Sequence, residues 1–217
     1  MVMYVRTILC CLCLMMGLQT QGSQVLAQPA GSPEKNEVVL FMESFIKEAV
    51  MTLKEKNKQK RFDAFQSIAR RYLDMPSISL YLLGRGDFSA ADKEKVSRLF
   101  EAYIVTLYLS KFDSYGASLQ ESDFVNQRTF LLYPHRKKSP WNVKMMLHVR
   151  APGKPTQKIE LDWRIFPSKE GFKILDVYIE GISLSQTKKE EFASVLKRQG
   201  ITGLISTLKS LLAAPAA

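Results

Sequence analysis

Cysteine is confined to the very start of this 217-residue chain, at Cys10, Cys11 and Cys13. Beyond Cys13 the chain can form no disulfide, and it offers no thiol nucleophile or thiolate metal site. Histidine is almost as scarce. His135 and His148 are the two present, and no His-x-x-x-His or carboxylate spacing accompanies them to build a zinc site. A Gly-x-Ser-x-Gly elbow is missing, as is a Gly-rich phosphate loop, so the usual sequence signals of a serine hydrolase and a nucleotide-binding loop are both absent. No apolar run is long enough to span a bilayer. Thr7–Leu18 is only about half of the roughly 20 residues a membrane helix needs. Internal repeats, low-complexity tracts and helix-turn-helix, zinc-finger or RNP patterns are also absent. The excess of base over acid, 31 Lys and Arg against 21 Asp and Glu, therefore comes with no nucleic-acid-binding motif.

What is present begins with an export signal. Arg6 supplies a positive start, Thr7 to Leu18 an apolar segment, and Val25-Leu26-Ala27 the small or apolar residues that a signal peptidase reads. Residues 1–27 are expected to be a Sec-type signal peptide cleaved after Ala27, which places the mature protein in the periplasm. No cysteine follows the Gly or Ala that lipoprotein processing prefers. Residues 28–36 read as a flexible leader, and 37–213 as a single domain with enough length for a sizeable core. The remaining charge is spread along the chain, which suits solubility and transient contact with anionic membrane surfaces or acidic partners. The densest basic run, Lys54 to Arg61, follows an amphipathic segment and reads as a solvated helix end.

The first half of the mature chain has helical periodicity. Val38, Phe41, Met42, Phe45, Ile46, Ala49, Val50 and Leu53 mark a first helix, and Phe62, Phe65, Ala69 and Tyr72 a second. Pro76 opens a short third helix that Gly84 ends. Ser89 with Asp92 forms a capping box for a long fourth helix, whose stripe includes Val96, Phe100, Tyr103 and Leu107. From Tyr115 the period changes to two. Val143, Met145, Leu147 and Val149 alternate with polar or flexible residues, as do Ile159, Leu161, Trp163 and Ile165. Ala151 to Pro155 is a turn between these strands. Phe172 to Ile179 is a further strand, and 118–133 supplies a less regular one. The expectation is an α+β domain in which a helical layer packs on a curved antiparallel sheet of about four strands, a cystatin- or nuclear-transport-factor-like arrangement.

Several segments, taken in order, resemble one family. Tyr81-Leu82-Leu83-Gly84-Arg85 is similar to its turn after the third helix, and Phe112 to Gly116 to its helix-to-sheet junction. Asp162-Trp163-Arg164 and Phe172-Lys-Ile-Leu-Asp176-Val-Tyr-Ile-Glu180-Gly181-Ile-Ser183 match its sheet. A helix from Lys188 to Gly200 and a second from Ile201 follow, as its members close. This resembles the MlaC, or toluene-tolerance, family. The likeness covers nearly all the mature chain. It departs at Gly86-Asp87-Phe88, where the family usually has an aromatic pair.

The resemblance implies a non-enzymatic periplasmic phospholipid carrier with a lipid cavity between helices and sheet, and with no cofactor or metal beyond its lipid cargo. It implies an outer-membrane lipoprotein complex and the MCE-domain subunit of an inner-membrane ABC transporter as partners, in the maintenance of outer-membrane lipid asymmetry. A related branch assists hopanoid metabolism, and Glu180-Gly181-Ile182-Ser183 favours the phospholipid branch. Tyr103, Leu107, Met145, Leu147, Leu161, Trp163, Val177 and Ile179 lie on the inward stripes and are the expected tail-cavity residues. Arg85, Arg164 and Lys173 are the bases expected near a headgroup. Such stripes also build ordinary cores, so a cystatin-like interaction module with a filled core is the rival reading, and an enzyme on the same sheet a third. Arg85-Gly86-Asp87 spells an integrin-type tripeptide, a coincidence in such a chain. Asp176 and Glu180 share a strand face. They suit local hydrogen bonding at the strand end better than catalysis, which would need a facing partner.

Overall fold

A computed structural model describes residues 33–112, 118–133, 140–150 and 155–213. The expected signal peptide, residues 28–32, His135, residues 113–117 of the expected helix-to-sheet junction and residues 151–154 of the expected strand turn lie outside them. Four helices come first: α1 (Pro33–Leu53), α2 (Lys58–Tyr72), α3 (Met75–Leu83) and α4 (Ala90–Phe112). A 3-10 turn at Glu121–Asp123 leads into β1 (Phe124–Leu131), β2 (Trp141–Val149), β3 (Gln157–Ser168), β4 (Gly171–Ile179) and β5 (Ile182–Ser183). Helix α5 (Leu184–Ala213) closes the described chain. The strands form one antiparallel sheet in sequence order, so the α+β expectation holds with a short fifth strand added.

Local chemistry sets most of the boundaries. Helix α1 starts at Pro33, so residues 33–36, assigned to the leader from sequence, are helical. The basic run from Lys54 does not simply end α1. Asn57 accepts from the Lys60 backbone N–H at 3.0 Å and caps α2, so Lys58, Lys60 and Arg61 open the second helix. Cations are unfavourable at a helix start, and the side-chain cap offsets them. Asp74 caps α3, with Pro at its first turn, and Gly84 ends it at φ 67°. Ser89 caps α4: its Oγ accepts from the Asp92 N–H at 3.1 Å, one half of the expected box, and donates to the Asp92 carboxylate at 2.7 Å. The short β5 arises because Glu180 (φ 50°) and Gly181 (φ 79°) both adopt left-handed backbone, which makes a two-residue hairpin pairing Ile179 with Ile182. Within α5, Gly200 (φ 63°, ψ −165°) breaks the helix in two, as the Gly between the two apolar stripes implies.

The core divides in two. One cluster sits between α1, α2 and the inner face of the sheet, with Met42, Val50, Val143, Met145, Leu147 and Ile165 among its buried members. The other joins α3, α4 and α5 through residues such as Ile78, Phe100, Phe192, Leu204 and Leu208. Leu73, at the α2–α3 junction, packs against both. Its neighbour Asp74 donates its backbone N–H to the Ile174 carbonyl at 3.0 Å, which fixes that junction to β4. Among the described residues no helix is long and apolar enough to cross a membrane.

Candidate functional site

The two clusters do not close completely onto each other. A cavity of about 130 Å³ remains where they meet. Helix α1 contributes the stripe Phe45, Ile46, Ala49, Val50 and Leu53, which recurs at three- and four-residue intervals on one helix face. Phe65 and Ile68 of α2, Met75 and Ile78 of α3, and Phe100, Ile104 and Val105 of α4 continue the wall. The sheet supplies Leu161 and Trp163 from β3 and Ile174, Val177 and Ile179 from β4. Phe45 and Trp163 meet edge to face at 5.3 Å between ring centroids. The indole N–H of Trp163 is buried without a hydrogen-bond partner.

One irregularity in β4 shapes this wall. Arg164 pairs with Asp176, yet Ile165 pairs with Ile174, so Leu175 is an extra residue in the ladder. The bulge reverses the alternation there and lets Ile174 face inward along with Val177. Strict alternation along Phe172–Ile179 puts only one of the two on the inner face.

The polar residues on the wall gather where β4 and α5 meet α4: Asp176, Ser185 and Lys188, with Tyr108 from α4. Asp176 accepts from the Val177 N–H at 2.9 Å, from Ser183 Oγ at 2.6 Å and from the Ser185 N–H at 3.0 Å. Ser183 Oγ in turn accepts from the Gln186 N–H at 2.9 Å. Together they satisfy two of the first-turn N–H groups of α5, those of Ser185 and Gln186, a role in which negative charge is also favoured by the helix dipole. Desolvation raises the pKa of the Tyr108 hydroxyl above the ordinary tyrosine value, and the Asp176 charge raises it further.

Lys188 sits one turn into α5. Its ammonium donates to Tyr103 Oη at 3.0 Å and to Glu191 Oε2 at 2.5 Å, and it lies 5.4 Å from the centre of the Tyr103 ring. The Lys188 side chain is only 14% exposed, whereas that of Glu191 is 46% exposed. Burial by itself lowers the pKa of this lysine. The hydrogen bonds to Glu191 and Tyr103, with their attraction for the cation, outweigh that effect and leave it raised.

Of the residues expected on the cavity wall, Leu161, Trp163, Val177 and Ile179 lie on it. The structure places the other four elsewhere. Leu147 is buried between the sheet and α1, and Met145 lines a separate surface depression between α1 and β1. Tyr103 packs its ring on Phe100 and Phe192 inside the α3–α5 cluster, against which Leu107 also packs. None of the three bases expected near a headgroup lines the cavity. Arg85 lies in the exposed turn after α3. Arg164 bonds Asn142 and stacks 4.4 Å from the Tyr178 ring centre, away from the inner face. Lys173 donates to the Arg70 and Arg71 carbonyls at 3.2 and 2.6 Å and closes the end of α2. The α1 stripe and Lys188 were visible as an amphipathic face and a helix base, but no sequence signal marked them as wall. At the departure from the family pattern, the Phe88 ring folds over Gly86, where a Cβ would meet it at 2.2 Å. Among the described residues no group of three His, Cys, Asp or Glu side chains is placed to hold a metal ion.

Comparison with known proteins gives two findings. The family model described as MlaC protein matches residues 43–210, a span that includes all five helices and all five strands at least in part. A solved structure of a phospholipid-binding protein from Ralstonia solanacearum, in complex with a phospholipid, aligns with a TM-score of 0.62 at 20% identity, over 80% of this chain and 96% of that one. At that identity the likeness is one of fold.

Proposed function

Because this chain belongs to the MlaC family, we propose that it is a periplasmic phospholipid carrier that performs no chemical step. The observation that carries this reading is the apolar cavity between the helical clusters and the sheet. A free phospholipid cannot cross water at a useful rate. Leaving two sixteen-carbon tails in water costs something like 25 kcal/mol, at about 0.8 kcal/mol per methylene. A wall of Phe45, Val50, Ile104, Leu161 and Val177 replaces the bilayer for those tails, so exchange with a membrane protein is close to balanced. The Ralstonia protein of the same fold was solved with a phospholipid bound, which supports the same cargo here.

The cavity volume of about 130 Å³ is close to that of an engineered apolar cavity of roughly 150 Å³ that holds benzene. A two-chain lipid therefore enters only if the two clusters move apart. In this reading residues 1–27 direct export and are removed. The carrier exchanges lipid with an outer-membrane lipoprotein complex and with the MCE-domain subunit of an inner-membrane ABC transporter, which helps keep the outer membrane asymmetric.

The test is native mass spectrometry of the mature protein purified from a periplasm. A bound species with the mass of a phospholipid, released on denaturation, is the expected result. Protein that is consistently lipid-free, and stays so after incubation with phospholipid vesicles, overturns the proposal in favour of an interaction module.

A further inference from the structure

Lys188 is the cation on a wall that is otherwise almost wholly apolar, and its location is costly. A long flexible ammonium side chain at 14% exposure gives up most of its hydration. Salt bridges that serve only to decorate a surface do not need that burial. Two features distinguish it from the other bases. It lines the cavity, which Arg85, Arg164 and Lys173 do not. And its carboxylate partner is held loosely: Glu191 is 46% exposed and sits three residues away on the same helix, where it can turn into water without disturbing the backbone. The second partner, the Tyr103 hydroxyl at 3.0 Å, is anchored by ring contacts with Phe100 and Phe192 and so holds the ammonium at a fixed point.

We propose that Lys188, positioned by Tyr103, binds the phosphodiester of the bound phospholipid, and that Glu191 is a stand-in anion which the phosphate displaces. This rests on the phospholipid-carrier reading and names where in the cavity the lipid's polar end lies. The tails then run from α5 along β4 and β3 towards the stripe on α1. Asp176 does not compete for the ammonium, because its oxygens already serve the Val177 and Ser185 N–H groups and Ser183 Oγ. Displacing Glu191 exchanges one charge-assisted bond for another, so the net gain is modest, but it favours an anionic lipid segment over a neutral one.

The test loads delipidated mature protein from mixed vesicles of phosphatidylglycerol and a diacylglycerol with the same tails, then measures the ratio of the two lipids retained. The wild type is expected to retain the phospholipid preferentially. Lys188→Met is expected to lower that ratio about tenfold, the scale of one lost hydrogen bond to a charged group, and Lys188→Arg to keep most of it. Glu191→Gln alters an exposed side chain and removes the competing anion, so it is expected to raise the ratio several-fold. An unchanged ratio in Lys188→Met, or in Glu191→Gln if the lysine variant fails to fold, overturns the assignment of Lys188 while leaving the carrier reading intact. A wild-type protein that retains neither lipid overturns the carrier reading itself, and this inference with it.

Discussion

Filling the cavity separates a container from a core more cleanly than damaging it does. Ala49 lies in the middle of the α1 stripe, between Phe45 and Leu53, and all three line the cavity. Ala49→Phe adds one phenyl ring at that point. A cavity of about 130 Å³ has room for such a ring, since one of roughly 150 Å³ accepts benzene. Burying a Phe side chain contributes about 1.5–3 kcal/mol, and the lower helix propensity of Phe costs about 0.5 kcal/mol. The delipidated variant is thus expected to be about 1–2 kcal/mol more stable than the delipidated wild type, a Tm rise of roughly 2–8 °C for a domain of this size. Its lipid retention should collapse, because the ring occupies space the tails need. Both proteins must be compared without lipid, since bound cargo stabilises the wild type by mass action. The assay is differential scanning calorimetry beside mass-spectrometric lipid content. A variant that is destabilised, or one that is stabilised yet carries normal amounts of lipid, would refute the placement of the tails against α1.

Four further outcomes follow from the same contacts. Asp176→Ala removes an acceptor shared by two backbone N–H groups and the Ser183 hydroxyl, and urea denaturation should show a loss of about 2–4 kcal/mol. Gly200→Ala forces a side chain into φ 63°, ψ −165°, a region essentially reserved for glycine, and should cost roughly 1–3 kcal/mol in the same assay. Lys188 and Tyr108 both have folded-state pKa values raised above their ordinary 10.5 and 10.0. The stability they contribute is therefore complete below those values and is lost as pH rises through them towards the folded ones, so the urea midpoint should fall above about pH 10 and fall less steeply in Tyr108→Phe. Lipid transfer between vesicles bearing the partner proteins should slow as salt rises, because the net positive charge of the mature chain, about +9 once Arg6 leaves with residues 1–27, guides encounters, whereas retention, governed by burial, should barely change; salt-induced release of lipid would assign the electrostatics to the wrong step.

The elements were legible because their signals are local. The Ser89 cap, Pro76, Gly84 and the period-two runs along β2 and β3 each depend on a few neighbouring residues, and the structure follows them closely. The cavity was not legible, because it is a property of how two finished surfaces fail to meet. Leu147 and Leu161 share the inner face of the sheet and are both buried in the first cluster, yet of the two Leu161 also lines the cavity. Which of them a helix covers depends on the positions of α1 and α4, and no spacing in β2 or β3 encodes that. The Leu175 bulge is a second case. A single unpaired residue turned Ile174 inward, and nothing in Lys173-Ile-Leu-Asp-Val announces it. Lys188 is a third, since a lysine on an amphipathic helix normally reaches water and only the Tyr103 hydroxyl, 85 residues away in the chain, draws it back.

The walls of the cavity are tied unequally, and this bears on how it can widen. The α2–α3 junction is held to β4 by the Asp74–Ile174 main-chain bond and by Lys173 on the carbonyls of Arg70 and Arg71. The start of α5 is held to β4 through Asp176, and α5 to α4 through Lys188 and Tyr103. A weaker polar contact joins α1 to the sheet, the Trp141 indole N–H donating to Glu34 at 3.5 Å near the start of the helix. Over the rest of its length α1 meets the sheet through apolar side chains of the first cluster. Moving α1 away from the sheet therefore forfeits mainly apolar contact, although leaving α2 as well would break the bonds from Arg71 and Tyr72 to Glu48; moving the other walls off β4 breaks the main-chain and side-chain hydrogen bonds that hold them there. An acyl chain that enters beneath α1 restores the same kind of contact that the helix gives up. Widening where α1 faces the sheet, with the Glu48 bonds to α2 kept, is for this reason the least costly path, and the lipid itself compensates for it.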